Sequence, residues 1–125
     1  MKRRRILLVD ESFEFLEQVS ADLGDVTDTI VATDSIEALQ QLCHSPDFDV
    51  LAVGRRVRPV SDVTLAQVFH EMHPGGTVYF LVDDDDPTQD AQRRMSIPGA
   101  RFIMRADIAP YVAGALAPMC ERRHD

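Results

Sequence analysis

Five short apolar runs separated by longer stretches of helical spacing constrain this chain more than any other feature. The runs are Ile6–Val9, Thr29–Thr33, Phe48–Val53, Thr77–Val82 and Ala100–Met104. Each is too short for a stable helix, and continuous rather than alternating hydrophobicity is the mark of a strand buried on both faces. The intervening stretches carry helix signals. Ser12 can cap a helix running to Leu23, with Phe15 or Leu16, Val19 and Leu23 as its apolar stripe and Gly24 at its end. Asp34 starts a second, with Glu37 in capping-box spacing, Ile36, Leu39, Leu42 and Cys43 as its buried face, and Pro46 as its stop. Ser61 or Asp62 caps a third, striped by Leu65, Phe69 and Met72 and ended by His73 to Gly76. A fourth, from Pro87 to about Met95, has only Ala91 and Met95 to pack. Pro98 and Gly99 then make a turn. Asp107 caps a fifth, with Ile108, Tyr111, Val112, Ala115, Leu116 and Met119 on one face and a kink or frayed end near Pro118.

Strand–helix alternation with short connections predicts a parallel sheet with helices on both faces and right-handed crossovers. The expected fold is α/β: a flavodoxin-like, doubly wound (βα)5 sandwich with strand order 2-1-3-4-5. At 125 residues the chain is expected to form one domain spanning 1–125. With 45% hydrophobic and 27% charged residues it reads as a soluble globular chain. No apolar run approaches the ~20 residues of a membrane helix, and the four apolar residues after Lys2–Arg5 are too few for a signal peptide, so a cytoplasmic location is expected. A net charge of −8 argues against direct nucleic-acid binding. The one basic cluster, Lys2–Arg5, reads as a solvated lead-in to the first strand. Cys43 and Cys120 provide no disulfide framework, and Cys43 is expected in the core.

In open α/β sheets the chemistry gathers at the carboxyl ends of the strands. There this sequence places Asp10 and Glu11 after the first strand, and Gly54 at the end of the third, followed by Arg55, Arg56 and Arg58. Val82 and then four aspartates, Asp83, Asp84, Asp85 and Asp86, follow the fourth strand. His70 and His73 share a helix end, but no third ligand at metal-site spacing accompanies them. No nucleophile triad and no glycine-rich phosphate loop is present.

With that order of elements the chain resembles the CheY-like receiver domains of two-component response regulators over nearly its whole length. The resemblance is carried by Ile6–Glu11 (ILLVDE), by Phe48-Asp49-Val50-Leu51 before the phosphoacceptor position, and by Pro98-Gly99-Ala100 before the last strand. It implies three carboxylates holding Mg²⁺, one of them phosphorylated, with a hydroxyl residue ending the fourth strand and a lysine ending the fifth. Mg²⁺ takes hard oxygen ligands and neutralises phosphoryl charge; a carboxylate is the nucleophile. Hydroxyl and ammonium then read the new phosphate. Carried over by position, the acidic pair is kept as Asp10 and Glu11. The nucleophile position falls on Gly54 and the hydroxyl position on Val82, followed by Asp83 where a small residue is usual. The lysine position falls on Arg105 if one residue is deleted after Gly99, and otherwise on Ala106. The proline after the lysine is missing, and the loop after Gly54 is one residue longer than the family's usual spacing to its proline.

Glycine cannot accept a phosphoryl group, valine cannot hydrogen-bond one, and arginine is a planar fork rather than a point charge. The resemblance therefore implies a degenerate, non-enzymatic pseudo-receiver. It would be a stand-alone phosphorelay module, without cofactor and with weak or absent Mg²⁺ binding, that engages its partner independently of phosphorylation. The partner would be a histidine kinase or another regulator, met through the fourth helix, fifth strand and fifth helix, which also offer a route to a homodimer. Arg55 or Arg56 is expected either to fold over Asp10 and Glu11 as an internal cation or to point to solvent. Asp83–Asp86 is expected to be a solvated acidic loop able to steer a basic partner. Two alternatives stay open: a phosphoryl-accepting receiver using Asp10 or Asp83, and a flavodoxin-like small-ligand binder at the same edge.

Overall fold

The structure, a computed structural model, describes residues 4–24, 27–45, 47–54, 56–82, 97 and 99–108. Strands β1 (Arg4–Val9), β2 (Thr27–Ala32), β3 (Val50–Gly54), β4 (Thr77–Val82) and β5 (Arg101–Met104) alternate with helices α1 (Phe13–Leu23), α2 (Ser35–His44) and α3 (Asp62–Met72). All four strand pairings are parallel, and the order across the sheet is β2-β1-β3-β4-β5, as the sequence pattern predicted. The expected fourth helix and the body of the fifth fall outside the described residues, as do Cys120, Arg55 and Asp83–Asp86.

The sheet is buried from both sides because successive side chains in its strands point to opposite faces. Leu7, Val9, Leu51, Val53, Val78 and Phe80 join Ala38, Leu42, Leu65 and Phe69 of α2 and α3 in one core layer. Ile6, Leu8, Val50, Ala52, Tyr79 and Leu81 join Leu16, Val19 and Leu23 of α1, together with Ile103 and Ile108, in the other. Two-sided burial explains why β1, β3 and β4 read as unbroken apolar runs.

The caps form as the side chains require. Ser12 Oγ accepts from the Phe15 N–H, Asp34 Oδ1 from the Glu37 N–H, and Ser61 Oγ from the Thr64 N–H. Glu37 reaches back to the Thr33 N–H, one residue before the cap. Gly24 closes α1 at φ 54°, where glycine carries no Cβ penalty.

Three expectations on packing are corrected. The buried side of α2 is Ser35, Ala38 and Leu42, with Leu39 only half-buried, while Ile36 and Cys43 are exposed. The rotation follows from Ser35: its N–H donates to the Arg58 carbonyl (3.0 Å) and its Oγ accepts from the Val60 N–H (2.7 Å). That pins the helix start to the loop after β3 and turns Ile36 outward. On α3, Met72 is exposed and Ala66 takes the inner position beside Leu65 and Phe69. At the opposite edge Arg5 is not solvated, since only 17% of its side chain is accessible. Its guanidinium pairs with Asp28 and Asp47 and lies over the Phe48 ring, 4.7 Å from the centroid. Its backbone N–H donates to Asp49 Oδ2. The amino-terminal end of the sheet is thereby tied between β1, β2 and the approach to β3.

Ser35→Ala leaves the part-buried Val60 N–H without its acceptor and should lower unfolding stability in urea by about 1 kcal/mol. Ile36→Ala and Cys43→Ala, on the exposed side of α2, should stay within about 0.5 kcal/mol of the native chain.

Candidate functional site at the carboxyl edge of the sheet

Parallel registry brings the ends of β1, β3, β4 and β5 to one edge. Val9 lies opposite Val53, so Asp10 and Gly54 follow side by side. Gly54 is opposite Leu81, and Val82 opposite Met104. Asp10 is one of the few charged residues in the interior, 3% exposed. Its backbone N–H still donates along the sheet edge to the Ala32 carbonyl (3.1 Å). Its Oδ1 accepts two hydrogen bonds, from the Ser12 N–H and from Arg105 Nη2, both at 2.9 Å.

Arg105 begins the single 3-10 turn, Arg105–Asp107, that follows β5. Its guanidinium pairs with Asp10 across 95 positions of sequence and sits over the Phe15 ring of α1, 4.4 Å from the centroid. A planar guanidinium can bond a carboxylate at its edge and stack on an aromatic face at once, which an ammonium cannot do. Ala106, the alternative position in the sequence comparison, is exposed in the same turn.

Gly54 gives this carboxylate its room. A Cβ at that position would lie 2.5 Å from Asp10 Oδ2 and 3.2 Å from its Cγ. The glycine's backbone is ordinary strand; the demand is for space and not for an unusual φ. Asp10 and a side chain at residue 54 therefore compete for one volume.

The remaining candidates are arranged more loosely. Arg56 reaches Glu11 at 3.9 Å, with 75% and 55% of the two side chains exposed, a separation and exposure at which an ion pair adds little. Among the described residues the cation on Asp10 is Arg105, from the far end of the chain, and Arg56 reaches Glu11; Arg55 lies outside them. Val82 is buried. Among the described residues no three His, Cys, Asp or Glu side chains converge as a metal site, and His70 and His73 are not brought to this edge. His73 instead caps α3 and packs on Phe69, with ring centroids 5.0 Å apart. A shallow depression of about 340 Å³ lies between α1 and β2, lined by Phe13, Leu16 and Val31, away from the strand ends.

Burial raises the Asp10 pKa above its ordinary 3.8, and the neighbouring Glu11 adds to the rise. The Ser12 N–H and the Arg105 charge pull it back without cancelling it. Phe15 is the functional residue that the sequence did not single out. It appeared there only as one of two candidates for the α1 stripe, and nothing local couples it to an arginine 90 residues away.

No protein-family model matches the sequence, and no curated protein matches it. Solved structures do match. A signal receiver domain of an HD-domain-containing protein from Pseudomonas fluorescens Pf-5 is 25% identical, with a TM-score of 0.78 and 98% of each chain covered. A response regulator receiver protein from Sinorhizobium medicae WSM419 is 16% identical with a TM-score of 0.79, again over 98% of each chain. A CheY-like receiver domain from Methanospirillum hungatei JF-1 is 16% identical, with a TM-score of 0.78 over 97% of this chain and 99% of its own. The fold is a receiver fold. In it, Asp10, Gly54 and Arg105 lie at the ends of the first, third and fifth strands, at the edge where the order of the sheet reverses.

Gly54→Ala should destabilise the protein by about 1–3 kcal/mol in urea unfolding, since the Cβ forces the Asp10 carboxylate aside. The loss should shrink when Asp10→Ala is made in the same chain. The raised Asp10 pKa fixes the sign of a pH effect. The folded chain holds this proton more tightly than the unfolded one, so this group adds native stability as pH falls through the native pKa towards 3.8. Native stability minus that of Asp10→Asn should accordingly rise on acidification, and an NMR titration of the Asp10 carboxyl carbon should move further upward in Arg105→Met.

Proposed function

We propose that this protein is a signalling module of the response-regulator type that works without phosphoryl transfer and engages a protein partner in the cytoplasm. One observation carries the reading: the Asp10 carboxylate fills the space beside Gly54 and is already neutralised by Arg105. A receiver edge that accepts phosphate needs a carboxylate nucleophile on the third strand and a free cation to meet the product. At this edge the third strand ends in glycine, and the cation of the fifth is engaged by Asp10 and Phe15. Such an edge is that of a pseudo-receiver rather than an enzyme.

The same contacts bear on Mg²⁺. Asp10 Oδ1 has accepted two donors, and Glu11, largely exposed, is the other carboxylate that the sequence comparison places in the metal set. A divalent ion on this carboxylate would sit beside the Arg105 guanidinium, whose charge opposes it, so these residues fit the ion poorly and binding is weak or absent. The use of Asp10 as a displaced phosphoacceptor is disfavoured because its Oδ1 has already accepted these two donors.

The partner is a signalling protein, a histidine kinase or another regulator, and the surface presented is centred on β5. Two residues there, Arg101 and Met104, are exposed at the open edge of the sheet. Self-association through this edge belongs to the same reading. A net charge of −8 argues against direct nucleic-acid binding, and among the described residues no helix is long and apolar enough to cross a membrane.

Incubation with acetyl phosphate and Mg²⁺, followed by intact-mass measurement, should show no added phosphoryl group. A stoichiometric gain, mapped to Asp10 or Asp83, would replace this reading with that of a receiver using a displaced carboxylate.

A further inference from the structure

The contacts of Arg105 join three elements by a polar link added to the apolar layer they share. Asp10 ends β1, Phe15 lies in the first turn and a half of α1, and Arg105 leads out of β5, the shortest strand and an edge of the sheet. Strand β5 pairs only with β4, and its own burial is thin: of Arg101 to Met104, Ile103 alone is fully buried. Beyond it Ile108 inserts into the layer that contains Leu16. Between Ile103 and Ile108 the chain leaves the layer, and the ion pair with its aromatic platform is placed to hold that exit from β5 onto β1 and α1. The carboxylate is buried, the guanidinium is mostly covered, at 29% side-chain exposure, and the hydrogen bond is charge-assisted.

We propose that Asp10, Arg105 and Phe15 form an internal latch, seated in the space left by Gly54, that keeps the end of β5 in one conformation without any ligand. The inference rests on the reading that this edge runs no phosphoryl chemistry. It adds what the edge does instead: the surface on β5 is held ready for its partner at all times. Each part has a separate task. Asp10 supplies the fixed charge, and the Ser12 N–H orients it. Arg105 bridges, and Phe15 covers the face of the guanidinium and couples it to α1. Gly54 leaves the volume that the carboxylate occupies. A larger side chain there would open the latch from below, although Gly54 touches neither Arg105 nor Phe15 in the pairings described.

Amide hydrogen exchange tests the latch in the full chain, with Arg105→Met, Arg105→Lys and Phe15→Leu compared after far-UV circular dichroism has shown each to be folded. Arg105→Met should lower protection of the Ile103 and Ile108 amides, and of the start of α1, by about tenfold. Leu42 and Phe69, in the opposite core layer, should keep theirs. Arg105→Lys should recover part of the loss by restoring charge without the stack, and Phe15→Leu should loosen α1 more than β5. Unchanged protection at β5 and α1, or a uniform loss that includes Leu42 and Phe69, would overturn the proposal. Should Arg105→Met not fold, the Arg105→Lys and Phe15→Leu patterns decide on the same criteria. Failure of the latch leaves the phosphoryl-free reading standing, whereas phosphoryl transfer to the native chain removes that reading whatever the exchange pattern.

Discussion

A single buried carboxylate organises the carboxyl edge of this sheet. Burying an isolated charge costs several kcal/mol in a protein interior, so Asp10 can stay there only if its surroundings answer it. They do so in three ways. The Ser12 N–H and the Arg105 guanidinium donate to one oxygen, and Gly54 withdraws its own side chain to make room for the other. The residual rise in the Asp10 pKa shows that the answer is incomplete, and that the fold tolerates some electrostatic cost at this point. The ends of β1, β3 and β5 and the start of α1 are consequently not independent of one another.

That interdependence changes the meaning of the glycine. Read as a departure from the receiver pattern, Gly54 is a loss, the removal of a nucleophile. Read beside Asp10, it is a steric requirement, because a Cβ at 2.5 Å from a carboxylate oxygen cannot be accommodated without moving that carboxylate. Restoring an acidic residue at 54 would place two carboxylates in one small volume, where like charges raise each other's pKa. An acidic residue at 54 would therefore need accompanying change at Asp10 and Arg105.

Much of the fold was legible in the sequence. Strand β4 was bounded to the residue, because Thr77–Val82 is β-branched and aromatic between a glycine turn and an acidic run. The three caps at Ser12, Asp34 and Ser61 were legible for a local reason, since a cap is a contact between residues three apart. Side-chain orientation was less so. The faces of α2 and α3 differed by about one position from the apolar stripe, because Ser35 anchors α2 through bonds to Arg58 and Val60, contacts invisible to periodicity. Arg5 was read as solvated for the same reason: its partners are Asp28 on β2 and Asp47 and Phe48 on the approach to β3, all distant in sequence. At the site, the sequence brought out Asp10, Gly54 and Arg105, and it offered Arg55 or Arg56, next to Gly54, either as an internal cation or as solvent-facing. It did not pair Arg105 with Asp10, because that contact spans 95 positions and arises only when a parallel sheet sets the fifth strand's exit within reach of the first strand's end.

The most direct measurement of the central claim is a double-mutant cycle of unfolding free energies across Asp10→Asn, Arg105→Met and the double variant, at neutral pH and low salt. If Arg105 answers the buried Asp10 charge, Arg105→Met costs clearly more stability in the native chain than in Asp10→Asn, a coupling of about 1–2 kcal/mol. Additive losses, with coupling near zero, would show that the two side chains do not depend on each other and would contradict the account.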